Sequence, residues 1–296
     1  MILLLPLRSA DRSRRAARAM LSLMAVNVLV FLFSSPDKAG KLAEQEAKLE
    51  RIAEWSLHLP RKDSSRLDER IRRFPSVLAF LEQDREWPAE IESSEIRERL
   101  TLCLEDHRAL TKEHLYYRYG FVPAEIGIGR LILHQFLHAD ILHLIFNMLF
   151  LWAVGALVEL TLGPWWFLAA YILSGVTAAL THAALNPLSM EPAIGASGAV
   201  SGVMGLLAVM HGRRRLRMAL VAMLAVAPRV FLFSLPAYVF VALWLIEQIF
   251  FASFGATTLD VAFGAHLGGF VFGAIAAIAF RLVLGPPPDL ELDPEE

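Results

Sequence analysis

Cysteine is almost missing: Cys103 is the single one in 296 residues. That excludes an internal disulfide framework and any cysteine-rich zinc site, and leaves Cys103 as a buried or bystander thiol. An excess of charge of either sign is missing too. Lys+Arg number 28 against 30 Asp+Glu, the formal net charge is -2 and the sequence pI is about 6.5. Without a basic surface there is nothing to neutralise phosphates, so nucleic acid is excluded as a partner. Charged residues of all kinds make up only 20% of the chain, hydrophobic ones 56%, and the mean hydropathy is +0.49. This apolar share exceeds that of a soluble domain and points to a multi-span membrane protein.

Crossing about 30 Å of hydrocarbon takes about 20 apolar residues in a helix. Six runs qualify or come close: 19–34, 141–158, 165–185, 194–211, 235–252 and 261–284. The first is short, and the basic stretch "RSADRSRRAAR" before it would also suit a secretory signal peptide. No small-x-small cleavage site follows cleanly, so it reads as a retained span. Arg8, Arg12, Arg14, Arg15 and Arg18 precede the first run, Arg213, Arg214, Arg215 and Arg217 follow the fourth, and Arg281 closes the sixth. All fall on one side, which predicts cytoplasmic termini in a multi-pass protein of the cell (plasma or inner) membrane.

The expected organisation is a basic cytoplasmic N-terminus (1–18), a first transmembrane helix (19–35), an extramembrane loop module (36–118), a membrane core (119–284) and an acidic cytoplasmic tail (285–296). In the loop module Leu42, Leu49, Ile52 and Trp55, and again Leu67, Ile71, Phe74 and Leu78, recur near helical spacing. Pro60, Pro75 and Pro88 cut it into short helices, and nothing functional is assigned to it. The apolar stretch 218–233, broken by Pro228 and Arg229, is too short on either side to span. It reads as an interfacial connection on the cytoplasmic side.

Polar groups at membrane depth are costly and are therefore the first functional candidates. Four sets stand out: His143 and Asn147 in "HLIFN", Glu159 at the end of the second span, Ser197 and Ser201 in "GASGAVSG", and His266 in "GAHLGGFVFG". Ser197 follows Pro192 and falls at a helix N-terminus, where unpaired backbone N–H groups can face an oxyanion. Taken alone, Gly198 and Gly202 could equally be a helix-packing face with the serines as small filler. There is no α/β-hydrolase elbow, because Ala199 stands where that motif needs glycine.

His266 shifts the balance. It shares the depth of Ser197, and the ladder Ala265, Gly269, Gly273 would let its helix approach the Gly198 and Gly202 face. A serine hydroxyl becomes a nucleophile when a base takes its proton, and neutral imidazole suits that role near pH 7. No third acid is convincing: Asp260 lies in a loop, and Glu247 near the outer end of the fifth span. A Ser197–His266 dyad is the economical reading. His143 and Asn147, four apart on one helix face, can donate hydrogen bonds to an oxyanion. His134 and His138 lack a carboxylate at ligand spacing, so no metal and no cofactor is expected. They are read as satisfying polar backbone where the loop enters the membrane.

Together "YGFVPAE", "HQFLHADILHLIFNMLFLWAVGALVE", "IGASGAVSGVMG" and "FGAHLGGFVFG", in this order, make the chain resemble the rhomboid family of intramembrane serine proteases. The resemblance covers 119 to 284. It implies an all-α, six-transmembrane-helix rhomboid-like bundle with a water-filled cavity open to the outside; the helical extramembrane insertion in the first loop, Pro36 to about Thr111, lies outside the shared core, and the resemblance says nothing about it. By resemblance Ser197 is the nucleophile of the GxSG motif, His266 the general base, and His143 and Asn147 the oxyanion residues. The implied activity is serine endopeptidase cleavage in or near transmembrane segments of membrane-protein substrates within the lipid bilayer. Ser201 departs from the pattern, since relatives often carry an aromatic residue there that packs beside the base. Positioning of the histidine then relies on other groups. Glu159 and Trp152 are read as structural.

Two other classes compete. An inactive rhomboid-like binder would have lost Ser197 or His266, and both are present. A transporter using His143, Glu159 and His266 as a relay predicts polar groups spread across the bilayer and discontinuous spans, whereas the clustered groups lie near the outer end.

Overall fold

The computed structural model describes residues 2–6, 17–34, 115–187, 189, 191–223, 228–254 and 260–285, with a few isolated positions between 44 and 109. Nearly all of the expected loop module 36–118, and the acidic tail after 285, lie outside the described residues.

Each of the six apolar runs holds a helix. They are α1 (Arg18–Phe33), α4 (Ile141–Leu162), α5 (Pro164–Leu185), α6 (Ser197–His211), α7 (Ala237–Phe254) and α8 (Asp260–Leu284). Two short helices, α2 (Leu115–Tyr119) and α3 (Ile128–Leu133), precede α4, the second running into a single 3₁₀ turn at His134–Phe136. Among the described residues, three helical stretches are long and apolar enough to cross a membrane: Ile141–Leu162, Pro164–Leu185 and Phe263–Val283. Arg18–Phe33, Ser197–His211 and Ala237–Gln248 are shorter apolar helices.

Local chemistry fixes the ends of these helices. The Asp140 carboxylate caps α4 by accepting from the His143 backbone N–H at 2.8 Å. One residue, Gly163, separates α4 from α5; its φ of +79° is the left-handed turn that glycine adopts without strain. Pro164 then opens α5 at the position where a missing N–H is harmless.

The fold is mostly helical, not all-α. β1 (Ile2–Pro6), β2 (Arg215–Met223) and β3 (Pro228–Pro236) form an antiparallel sheet in the order β1-β2-β3. Ile2 pairs with Ala222, and Arg215 with Pro236. The stretch read as an interfacial connection therefore holds most of a strand pair. Apart from Pro228 and Arg229 it is apolar throughout, and so gives no alternation by which to recognise strands. β1 lies more than 200 positions away in the chain, so the third strand leaves no local trace. The prolines at 228 and 236 stand at the two ends of β3, where a missing donor is tolerated.

α6 is the centre of the molecule. Twelve of its fifteen residues are buried, and it packs against α8, α5 and α4. Glycine sets how closely. A Cβ on Gly269 would collide with the Gly198 carbonyl oxygen, one on Gly273 with the Gly202 carbonyl oxygen, and one on Gly205 with the Phe270 carbonyl oxygen. On the outer faces large apolar side chains are exposed, among them Leu32, Phe33, Ile128, Trp165 and Leu282. An apolar exterior around a tightly packed small-residue interior is the arrangement of a protein solvated by lipid.

Glu159 has the structural role expected of it. Its carboxylate accepts from the backbone N–H groups of Ala19 (2.9 Å) and Met20 (2.7 Å), at the start of α1. These N–H groups have no partner inside their own helix, and the carboxylate compensates both them and the positive end of the helix dipole.

Candidate active site

The loop that delivers α6 is held at several points. Phe121 and Ala193 exchange backbone hydrogen bonds of 2.9 and 2.8 Å, fixing the "YGFVP" segment beside the chain ahead of Ser197. The Gly195 N–H donates to the His134 carbonyl at 3.0 Å, while His134 Nδ1–H donates to the Arg130 carbonyl at 2.9 Å. Gly195 has φ +124°, a conformation that L side chains rarely adopt. A Cβ there would stand 2.8 Å from His143 Cε1 and 2.9 Å from Nε2, with Ser197 Oγ at 3.8 Å. A missing side chain at 195 thus makes the room in which imidazole and hydroxyl converge.

Ser197 is the first residue of α6. Among the described residues no side chain caps this helix end, which leaves its first-turn N–H groups without a capping partner. Ser197, His266, His143 and Asn147 all line one cleft of about 290 Å³. Its remaining walls are mostly apolar, with Phe146, Phe150, Val200, Met204 and Trp244 among them. The four residues singled out from sequence are therefore brought together, from α4, α6 and α8. No hydrogen bond joins Ser197 Oγ to His266 among the described residues; resting sites often carry this contact long, to tighten when substrate is bound.

Asn147 Nδ2 donates to the His143 carbonyl at 2.9 Å, which holds the amide on its own helix and leaves its second N–H for the cleft. Ser201 is buried and donates to the Ser197 carbonyl at 2.6 Å. Its hydroxyl is spent on the backbone one turn back, as a packing residue's would be.

Two groups beside His266 were not singled out in the sequence. The Trp244 ring lies 6.1 Å from the imidazole, centroid to centroid, inclined by 43°. Gln248 Oε1 lies 2.6 Å from His266 Nδ1. Both come from α7, four residues apart and so on one helix face. The aromatic neighbour absent at Ser201 is thus supplied from another helix. The only cue to Gln248 was an uncharged polar residue in an apolar span, beside the more conspicuous Glu247.

His138 departs from expectation. It is fully buried, its ring edge-on to His143 at 5.1 Å, and among the described residues neither ring nitrogen has a partner in hydrogen-bond geometry. Its carbonyl, not its imidazole, is the group engaged, accepting from Tyr116 Oη at 2.7 Å. Burial, then the nearby His143, depresses the His138 imidazole to about 4, and burial does the same to His134. Both stay neutral at ordinary pH.

A family model for the rhomboid domain matches residues 127–282, more than half of the chain. The chain belongs to the rhomboid family. Within the rhomboid domain lie all four cleft residues and the glycine contacts that draw α6 and α8 together. The chain is also 31% identical over 153 residues to the rhomboid protease GluP of Bacillus subtilis (strain 168), over 52% of this chain and 26% of that protein. The matched stretch therefore spans about a quarter of its relative's length. The family and the apolar helices make this an integral membrane protein.

Proposed function

We propose that this rhomboid is an intramembrane serine endopeptidase that cleaves peptide bonds in or near transmembrane segments of membrane-protein substrates. The observation that carries the reading is the convergence of Ser197, His266, His143 and Asn147 on one cleft at the uncapped start of α6. The relative's name as a rhomboid protease supports the same class.

The chemistry follows from these groups. A hydrogen-bonded helix hides its carbonyls, so the substrate unwinds locally at the outer end before it can react. Ser197 Oγ attacks the exposed carbonyl carbon while His266 takes the hydroxyl proton. The oxyanion receives hydrogen bonds from His143, Asn147 and the Ser197 backbone N–H. Collapse breaks the C–N bond, the amine leaves with the proton held by His266, and water, deprotonated by the same imidazole, hydrolyses the acyl-enzyme. The small residues flanking Ser197 favour substrates with small side chains at the cleavage point. The topology that fits is six spans with both termini cytoplasmic in the cell membrane, the cleft opening to the outside.

The relay of a transporter has less support. Glu159 is sixteen residues from His143 along α4, about 24 Å at the helical rise, and it is committed to the N-terminus of α1. Incubation of the purified protein with a single-span substrate, beside Ser197→Ala, tests the proposal. Cleavage products are expected only with the unmodified serine.

A further inference from the structure

The imidazole of His266 has two ring nitrogens, and its use as a base depends on which one carries the proton. A base facing Ser197 through Nε2 must be protonated at Nδ1. In a membrane interior nothing guarantees that: the two neutral tautomers lie close in energy, and exchanging them would disable the site half of the time or more. A fixed acceptor at one nitrogen resolves the choice.

Gln248 is such an acceptor. Its Oε1 is 2.6 Å from His266 Nδ1, and a carbonyl oxygen can only accept, so Nδ1 bears the hydrogen and Nε2 keeps its lone pair. The ring is further confined by Trp244 from the same face of α7. We propose that Gln248 is the positioning residue for His266, a neutral third member that fixes the tautomer and ring orientation of the base. This rests on reading Ser197 and His266 as nucleophile and base, and goes beyond it by assigning a role to a helix that carries neither.

An amide is a physically sensible choice at this depth. A carboxylate would supply the same acceptor and would also stabilise the imidazolium, but an ionised group in an apolar span carries a heavy desolvation cost. Glutamine gives up that charge stabilisation and retains the geometric function, which is to orient the ring and select its tautomer. A bond whose purpose was only to tie α7 to α8 would act differently. It would affect stability and activity together, and would be indifferent to which ring nitrogen holds the proton.

The test uses the full chain in detergent, with histidine nitrogens labelled with ¹⁵N and Ser197 probed by a fluorophosphonate. The expected resting spectrum shows His266 as a single Nδ1–H tautomer, assigned by its loss in His266→Ala. Gln248→Leu is expected to mix the tautomers and to lower kcat and labelling by roughly 10- to 100-fold, with KM unchanged and the melting temperature within about 2 °C. Gln248→Glu, which restores an acceptor, is expected to recover most of the lost kcat. An Nε2–H tautomer in the parent, or Gln248→Leu at parental kcat, overturns the proposal. So does a kcat loss that tracks melting temperature and is not rescued by glutamate. A parent inert to both substrate and probe overturns the hydrolase reading beneath it, an outcome distinct from an active parent indifferent to Gln248.

Discussion

Gly273 meets Gly202 with no space for a methyl group between them: a Cβ on Gly273 would overlap the Gly202 carbonyl oxygen. One turn toward the cleft, Gly269 stands in the same relation to Gly198. His266 is three residues before Gly269 and Ser197 one residue before Gly198, so these contacts set the separation of the two side chains. Gly269→Ala is expected to push α8 off α6, cost about 1–3 kcal/mol of stability, and reduce substrate cleavage far more than its effect on melting. Gly129→Ala is the control. It is exposed in α3 with nothing near its absent Cβ, and is expected to be neutral or to stabilise by up to about 1 kcal/mol.

Gly195 carries a different constraint. Alanine there is strained by φ +124° and presses on the His143 imidazole. The expected result is a fall in kcat of roughly 100- to 1000-fold, the range for losing one oxyanion donor, with KM little changed. Steady-state kinetics on a soluble or reconstituted substrate separates the two constants.

Glu159 holds the first N–H groups of α1 from a position 139 and 140 residues away in sequence. Replacing it with glutamine turns one acceptor into a donor facing a donor. The expected loss is about 1–3 kcal/mol, seen as a lower melting temperature, with cleavage at low temperature retained because the cleft lies at the other end of α4. Equal loss of activity at every temperature would count against a structural role.

His134 and His138 give the protein an acid limit. Burial holds both near 4, against an ordinary value of 6.5. Between these values the unfolded chain binds more protons than the folded one, so stability rises with pH. It is fully present above about pH 6.5, and is lost as the pH falls toward 4, by up to about 3 kcal/mol for each imidazole. His138→Phe keeps a ring against His143 and removes two unpartnered nitrogens. Its melting temperature is expected to equal or exceed the parent's at pH 7.5, and to drop less on acidification to pH 4.5.

The apolar runs and the four cleft residues were legible in the sequence, because span length and buried polar groups each follow from the cost of exposing polar atoms to lipid. The glycine ladder was legible for a related reason: small residues at one-turn spacing have little other use in a span. The sheet was not, since strand pairing between Leu4 and Leu220 is a long-range choice that neither segment encodes alone. Gln248 was hidden because a lone amide in an apolar helix has no partner until α7 is docked beside α8. His138 misled because a buried histidine is expected to hold a hydrogen-bond partner, and among the described residues this ring has none in bonding geometry.

The most direct measurement is the rate of cleavage of a single-span substrate by the purified, reconstituted protein, run beside Ser197→Ala and His266→Ala, with folding of each variant verified by thermal melting. The expected result is cleavage by the parent and a loss of at least about 1000-fold in both variants, at melting temperatures close to the parent's. Cleavage that persists in Ser197→Ala at the parental rate would contradict the assignment of Ser197 as the nucleophile.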